Sequence, residues 1–203
     1  MVNTLFGWGW LGTLVLLLTE LDFQSQAAEK KDRKTVIPKI ASIARIKVGY
    51  SSMEDLERHL GKGKVTIGGH PNGARLWRVK GTSWIIHADA FCYSERGAVV
   101  DCFDITMDPG PSEKMPYARS TRDKLVWAGG NSLGLNEDNL LKFLEQNSWT
   151  PVKLEDGWLV TAEGYSPLTS DPLYPFNRWE VRFTMKEKSL VGISLLARVQ
   201  KAK

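Results

Sequence analysis

Hydrophobic and polar positions change period several times along the chain, and each change marks an element. Between 48 and 61 the apolar residues Met53, Leu56 and Leu60 recur at helical spacing. Ser51 and Ser52 stand before them with Glu54 and Asp55 close behind, so either serine can act as N-cap in a capping box, and Gly61 can close the helix in a left-handed conformation. A helix over Ser52 to Leu60 is predicted. Lys62 to Ala74 carries Gly63, Gly68, Gly69, Gly73, Pro71 and Asn72 and reads as a loop, with a brief strand at Val65 to Ile67.

From Arg75 the period is two. Leu76, Trp77 and Val79 lead to a turn at Lys80-Gly81, then Trp84 to Tyr93, a turn at Ser94 to Gly97, and Ala98 to Met107, a three-stranded antiparallel meander. Gly97 suits the left-handed position of a three-residue hairpin loop, which sets Ser94 opposite Ala98. On that register Trp84, Ile86, Ala88, Ala90, Cys92, Val100 and Cys102 form the helix-covered face. Ile85, His87, Asp89, Phe91, Tyr93, Val99, Asp101, Phe103 and Ile105 form the other.

A looser version of the same order follows a proline-rich joint at 108–124. Leu125 to Ala128 reads as a short strand. Asn136 caps a helix with Glu137 and Asp138 in its first turn and an apolar stripe of Leu140, Leu141 and Leu144, ending at Gln146. Strands are expected at Gly157 to Tyr165, Arg178 to Lys186 and Ser189 to Val199, with Trp179, Val181, Phe183 and Met185 pointing one way. The loop Ser166 to Asn177 holds Pro167, Pro172 and Pro175 and is either a contact loop or a spacer. The expected fold class is α+β: two tandem helix-plus-antiparallel-meander units, 48–107 and 125–199, each with a short helix on a three- to four-stranded sheet.

A helix entered by Gly-x-Ser, striped with Met and Leu, closed by Gly and followed by a Trp-bearing meander is similar to the repeat of the β-lactamase inhibitor protein and of BamE-like envelope proteins. The matching residues are Gly49, Ser51 or Ser52, Glu54, Leu56, Leu60, Gly61, Trp77 and Trp84. The resemblance implies two repeats packed in tandem, with the open sheet face binding another protein.

Before the first unit, an apolar run from Leu5 to Leu18 is followed by Ser25-Gln26-Ala27, which predicts a secretory signal peptide over 1–27 cut after Ala27. The run is shorter than the roughly 20 residues of a transmembrane helix. Stable membrane insertion after cleavage is therefore not expected, although retention as an anchor is the alternative. Residues 28–47 are Lys-rich and read as a basic linker. The secreted, periplasmic or cell-envelope compartment follows from the export signal.

Composition adds bounds. The formal net charge of +4, or +6 once Glu20 and Asp22 leave with the leader, is too small and dispersed to argue for nucleic acid. Cys92 and Cys102 are the only cysteines, and on the expected register they share a face, leaving a disulfide and two buried thiols both open.

Catalytic patterns are incomplete. Gly130-Asn131-Ser132-Leu133-Gly134 has the nucleophile-elbow form, but His59, His70 and His87 all precede Ser132, whereas the elbow places its His after the Ser. His87 and Asp89, with Asp101 on the next strand and His70 nearby, allow a metal cluster without a specific spacing. No cofactor or metal is called for. The functional expectation is a non-enzymatic module binding a protein partner through the mixed face, with Phe91, Tyr93, Phe103, His87 and Asp101 as contact residues. The alternatives are a small hydrolase using Ser132, or His87 with Asp89 and a metal, and a structural envelope component.

Overall fold

The chain divides into two units, Met1–Lys34 and Thr35–Lys203. The computed structural model describes residues 34–66, 74–90, 92–94, 97–107, 115–119, 127, 135–168 and 175–199. The expected signal peptide, the glycine-rich stretch 67–73, Phe91, the Ser132 string and most of the 108–124 joint lie outside these residues.

Two helices form where expected, and for the expected reasons. In α1 (Met53–Leu60) the Ser52 hydroxyl accepts the Asp55 N–H at 3.1 Å while the Asp55 carboxylate accepts the Ser52 N–H at 3.1 Å, so two of the helix's orphan donors are satisfied reciprocally. Met53, Leu56 and Leu60 are its buried face, and Gly61 closes it at φ +85°. In α2 (Glu137–Gln146) the Asn136 side chain accepts the Asn139 N–H at 2.8 Å. Leu140 and Leu144 are buried, and Phe143 rather than Leu141 adds to the stripe.

The strands are β1 (Ser42–Ile43), β2 (Ile46–Lys47), β3 (Lys64–Thr66), β4 (Ala74–Arg78), β5 (Trp84–Asp89), β6 (Cys92–Ser94), β7 (Gly97–Val99), β8 (Cys102–Met107), β9 (Val152–Leu154), β10 (Gly157–Ser166), β11 (Phe176–Lys186) and β12 (Ser189–Arg198). Eight of them make one antiparallel sheet in the order β3-β4-β5-β8-β12-β11-β10-β9. The strands after α1 run inward from one edge and those after α2 run inward from the other. Their last members, β8 and β12, pair at the centre. Hydrogen bonds between β8 and β12 join the strands of both stretches into one continuous eight-stranded sheet, which with the two helices makes the fold mixed α+β. Both edge strands are three residues long and carry a lysine, Lys64 and Lys153, which limits further strand pairing.

One face of the sheet is the core. Trp77, Ile86, Phe103, Ile105, Val181, Phe183 and Leu195 are fully buried there together with Leu56, Leu60, Leu140 and Leu144, and each large apolar side chain removed from water contributes about 1.5–3 kcal/mol. Three tryptophans are buried without orphaning their indole N–H: Trp77 donates to Gly61 O at 2.9 Å, Trp127 to Ile40 O at 3.0 Å and Trp179 to Val48 O at 2.7 Å. Trp127 packs edge-on against Phe183 and Phe143 at centroid separations of 4.8 and 5.1 Å.

The basic-linker expectation for 28–47 is corrected from Thr35 onward. Val36 bridges Tyr165, residues 39–41 form a 3-10 turn, and Ile40, Ala41, Ile43, Ile46 and Val48 enter the core. The lysines set the composition of the segment, but the apolar residues between them set its placement through contacts with distant parts of the chain.

The register of the β5–β8 hairpin differs by one residue from the expectation. Ser94 pairs with Gly97, Cys92 with Val99, Ala88 with Phe103 and His87 with Asp104, so the loop has two residues, not three. A one-residue change of register exchanges the faces of a strand. On β8 it turns Phe103 and Ile105 into the core and Cys102 and Asp104 to the other side. At its tip the hairpin leaves the main sheet: β6 and β7 pair alone, and Val99 bridges Ser52 at the start of α1. No helix among the described residues is long and apolar enough to cross a membrane.

Candidate functional site

Opposite the core, the central strands present polar side chains in lateral rows. Leu76, His87, Asp104, Ser194 and Arg182 stand side by side on β4, β5, β8, β12 and β11. Asp89, Cys102, Leu196 and Glu180 form the next row. Strict alternation of buried and half-buried positions on β5 produces the first of these placements, and the same alternation starts β8. His87, Asp104 and Cys102 therefore meet without any loop to position them.

Asp104 is the hub. Its Oδ2 lies 3.2 Å from His87 Nδ1 and accepts from Cys102 Sγ at 3.4 Å, while its Oδ1 accepts a short hydrogen bond from the Ser194 hydroxyl. Burial acts to raise the Asp104 carboxyl, but the hydrogen bonds from His87, Ser194 and Cys102 outweigh it and hold the group below its ordinary value. The His87 imidazole is raised, first by its hydrogen bond to Asp104 and then, against the opposing effect of burial, by the charges of Asp104 and Asp89. The Cys102 thiol is pushed far up by burial and by the carboxylates around it. As a protonated thiol it is no nucleophile at neutral pH.

Toward β11 the same face carries arginines set against carboxylates. Arg178 and Arg198 flank Glu180 at 3.5 and 3.6 Å, and Arg182 pairs with Asp156 at 2.8 Å. The carboxylates of Asp89 and Asp104 thus adjoin a half in which three arginines meet Glu180 and Asp156.

Of the contact residues expected from the sequence, His87 is on this face and half-exposed. Phe103 is not: it is 0% exposed in the core, because of the one-residue difference in register. Asp101 sits half-buried at the break between β7 and β8, its N–H donating to Asp89 O and its carbonyl accepting from Ala197 N. Phe91 and the Tyr93 side chain lie outside the described residues. The two cysteines are free thiols. Cys92 packs against the core, where burial and Asp101 push its thiol up to about 11, whereas Cys102 turns to the opposite face beside Asp104, so the premise of a shared face is corrected.

His87 bonds to Asp104 rather than to Asp89, which belongs to the neighbouring row. Asp104 and Ser194 were missed. The available signal was Asp104 itself, since a register that puts a carboxylate on the helix-covered face leaves a charge to be buried. Comparison with protein-family models, with curated proteins and with solved structures finds no match to this chain.

Proposed function

We propose that the chain is an exported, non-enzymatic binding module that docks a protein partner on the uncovered face of its sheet. Its two helix-plus-strand halves are read as tandem units resembling those of the β-lactamase inhibitor protein and BamE-like envelope proteins. The observation that carries the reading is the asymmetry of the central strands. Their fully buried apolar residues Ile86, Phe103, Ile105, Leu195, Val181 and Phe183 serve one face, while the other carries His87, Asp89, Ser194 and Glu180 beside the half-buried Ile85 and Leu196. A rigid sheet bearing ordered carboxylates and arginines supplies polar complementarity at little ordering cost, since sheet residues are already fixed. The symmetric strand order, with β8 and β12 joined at the centre, supports the tandem reading.

Affinity capture of the chain from envelope and culture fluid tests the proposal. One specific protein is expected to be retained, lost when Leu196→Arg is introduced on the open face and kept when Lys142→Glu is introduced on the exposed side of α2. Capture that ignores Leu196→Arg, or reproducible ester or phosphoester turnover abolished by His87→Ala, overturns it.

A further inference from the structure

Three different donor types converge at the hub of the open face: an imidazole nitrogen, a thiol sulfur and a carboxylate oxygen. We propose that His87 Nδ1, Cys102 Sγ and Asp104 Oδ2 form a binding site for one divalent transition-metal ion of the zinc class. The three ligand atoms lie within 4.8 Å of one another, with two edges of the triangle at 3.2 and 3.4 Å. Bonds of about 2.0–2.3 Å in a tetrahedron set neighbouring ligands about 3.5 Å apart, so both edges are close to what the ion requires. The nitrogen-to-sulfur edge lies within the same 4.8 Å, and side-chain rotation on a fixed sheet can adjust it.

The donor set selects the ion. A thiolate with an imidazole is a poor host for calcium or magnesium, which take oxygen ligands, and a good one for zinc or cobalt. Zinc would replace two protons: the Cys102 sulfur–hydrogen bond breaks and its proton leaves to solvent as the metal–sulfur bond forms, and the Nδ1–H that faces Asp104 gives up its proton to solvent, leaving a neutral ring protonated at Nε2, as the metal–nitrogen bond forms. Thiolate and carboxylate together then balance the two positive charges. Ser194 donates to the other oxygen of Asp104 and so orients the carboxylate, a supporting contact of the kind that ligating carboxylates need. His87 is 37% exposed, which leaves a path for entry and a fourth position for water or another ligand.

Among the described residues it is Cys102 and not Cys92 that has an imidazole as well as a carboxylate in reach. Cys92 packs against the core with Asp101 beside it, whereas Cys102 has a carboxylate and an imidazole together on the opposite side. The site does not depend on the docking reading, and its test needs no partner.

Purified full chain, free of any affinity tag, reduced and metal-free, is titrated with Co2+ and then Zn2+. One equivalent of Co2+ with a sulfur-to-cobalt charge-transfer band is expected, displaced by Zn2+. The band should vanish in Cys102→Ser and persist in Cys92→Ser, and Asp104→Asn should weaken Zn2+ binding by at least about tenfold. A second measurement needs no substitution: Zn2+ should slow alkylation of Cys102, followed by peptide mass, by about tenfold or more while leaving Cys92 unchanged. Absence of the band, its survival in Cys102→Ser, or equal alkylation of Cys102 with and without Zn2+ overturns the proposal.

Discussion

The indole N–H of Trp179, on β11, donates to the carbonyl of Val48 at 2.7 Å, tying the strands that follow α2 to the segment that enters α1. Gly49 makes the contact possible. It sits at φ +82°, and a Cβ there would meet Trp179 Nε1 at 3.0 Å and the Cβ of Ala197 at 2.9 Å. Gly49→Ala combines left-handed strain with overlap and should cost about 1–3 kcal/mol. Trp179→Phe leaves the buried Val48 carbonyl without its donor, at about the same cost. Urea denaturation followed by far-UV circular dichroism reads both, and Gly49→Ala as stable as wild type would show that the junction is not under this constraint.

The helix entry offers a smaller, local test. Ser52→Ala removes the acceptor of the Asp55 N–H and should cost about 1 kcal/mol. The exposed ion pair between Arg58 and Asp55 should matter less, so Arg58→Ala is expected to fall within about 0.5 kcal/mol of wild type. Equal losses in the two variants would mean that the cap is not what starts α1.

Local chemistry was legible from the sequence and pairing was not. Ser52, Gly61, Asn136 and the stripe Met53, Leu56 and Leu60 act over a single turn, so residue type and spacing suffice to place them. The last three strands read as clearly, because Trp179, Val181 and Phe183 alternate without interruption. The β5–β8 hairpin depended on the length of one loop, where Gly97 is compatible with two or three loop residues, and that choice decides which way Phe103 and Asp104 face. The segment around Ile40 and Ile43 was obscured for another reason. Its apolar residues pack through tertiary contacts with Trp127, distant in sequence, and no local period announces such contacts.

The register can be checked by energetics alone. Phe103→Ala opens a cavity in the core and should destabilise by about 3–5 kcal/mol, while Leu196→Ala on the open face should change stability by under about 1 kcal/mol. The register expected from the sequence would make Phe103 the surface position and its loss inexpensive. Chemical denaturation with unchanged m-values decides between them, and a mild Phe103→Ala would refute the pairing of Ala88 with Phe103.

The His87–Asp104 pair gives the apo protein a pH-dependent term whose sign follows from the two shifts. His87 is raised above its ordinary 6.5, so its contribution is complete below about that value and is lost as pH climbs through the higher folded value. Asp104 is lowered from its ordinary 3.8, so its contribution is present above that value and is lost only as pH falls through the depressed one. Between these limits the imidazolium faces Asp104 and Asp89, with the neutral Cys102 thiol and the Ser194 hydroxyl beside it, and no described cation opposes it there. The penalty of His87→Gln should therefore be larger near pH 5.5 than near pH 8.5, and because His87 is over a third exposed the difference should stay at about 1 kcal/mol or less. Urea midpoints of wild type and His87→Gln at the two pH values, in metal-free buffer, measure it. A penalty that is equal at both, or larger at the alkaline one, would mean that the pair is held by packing of the strands and not by its charge.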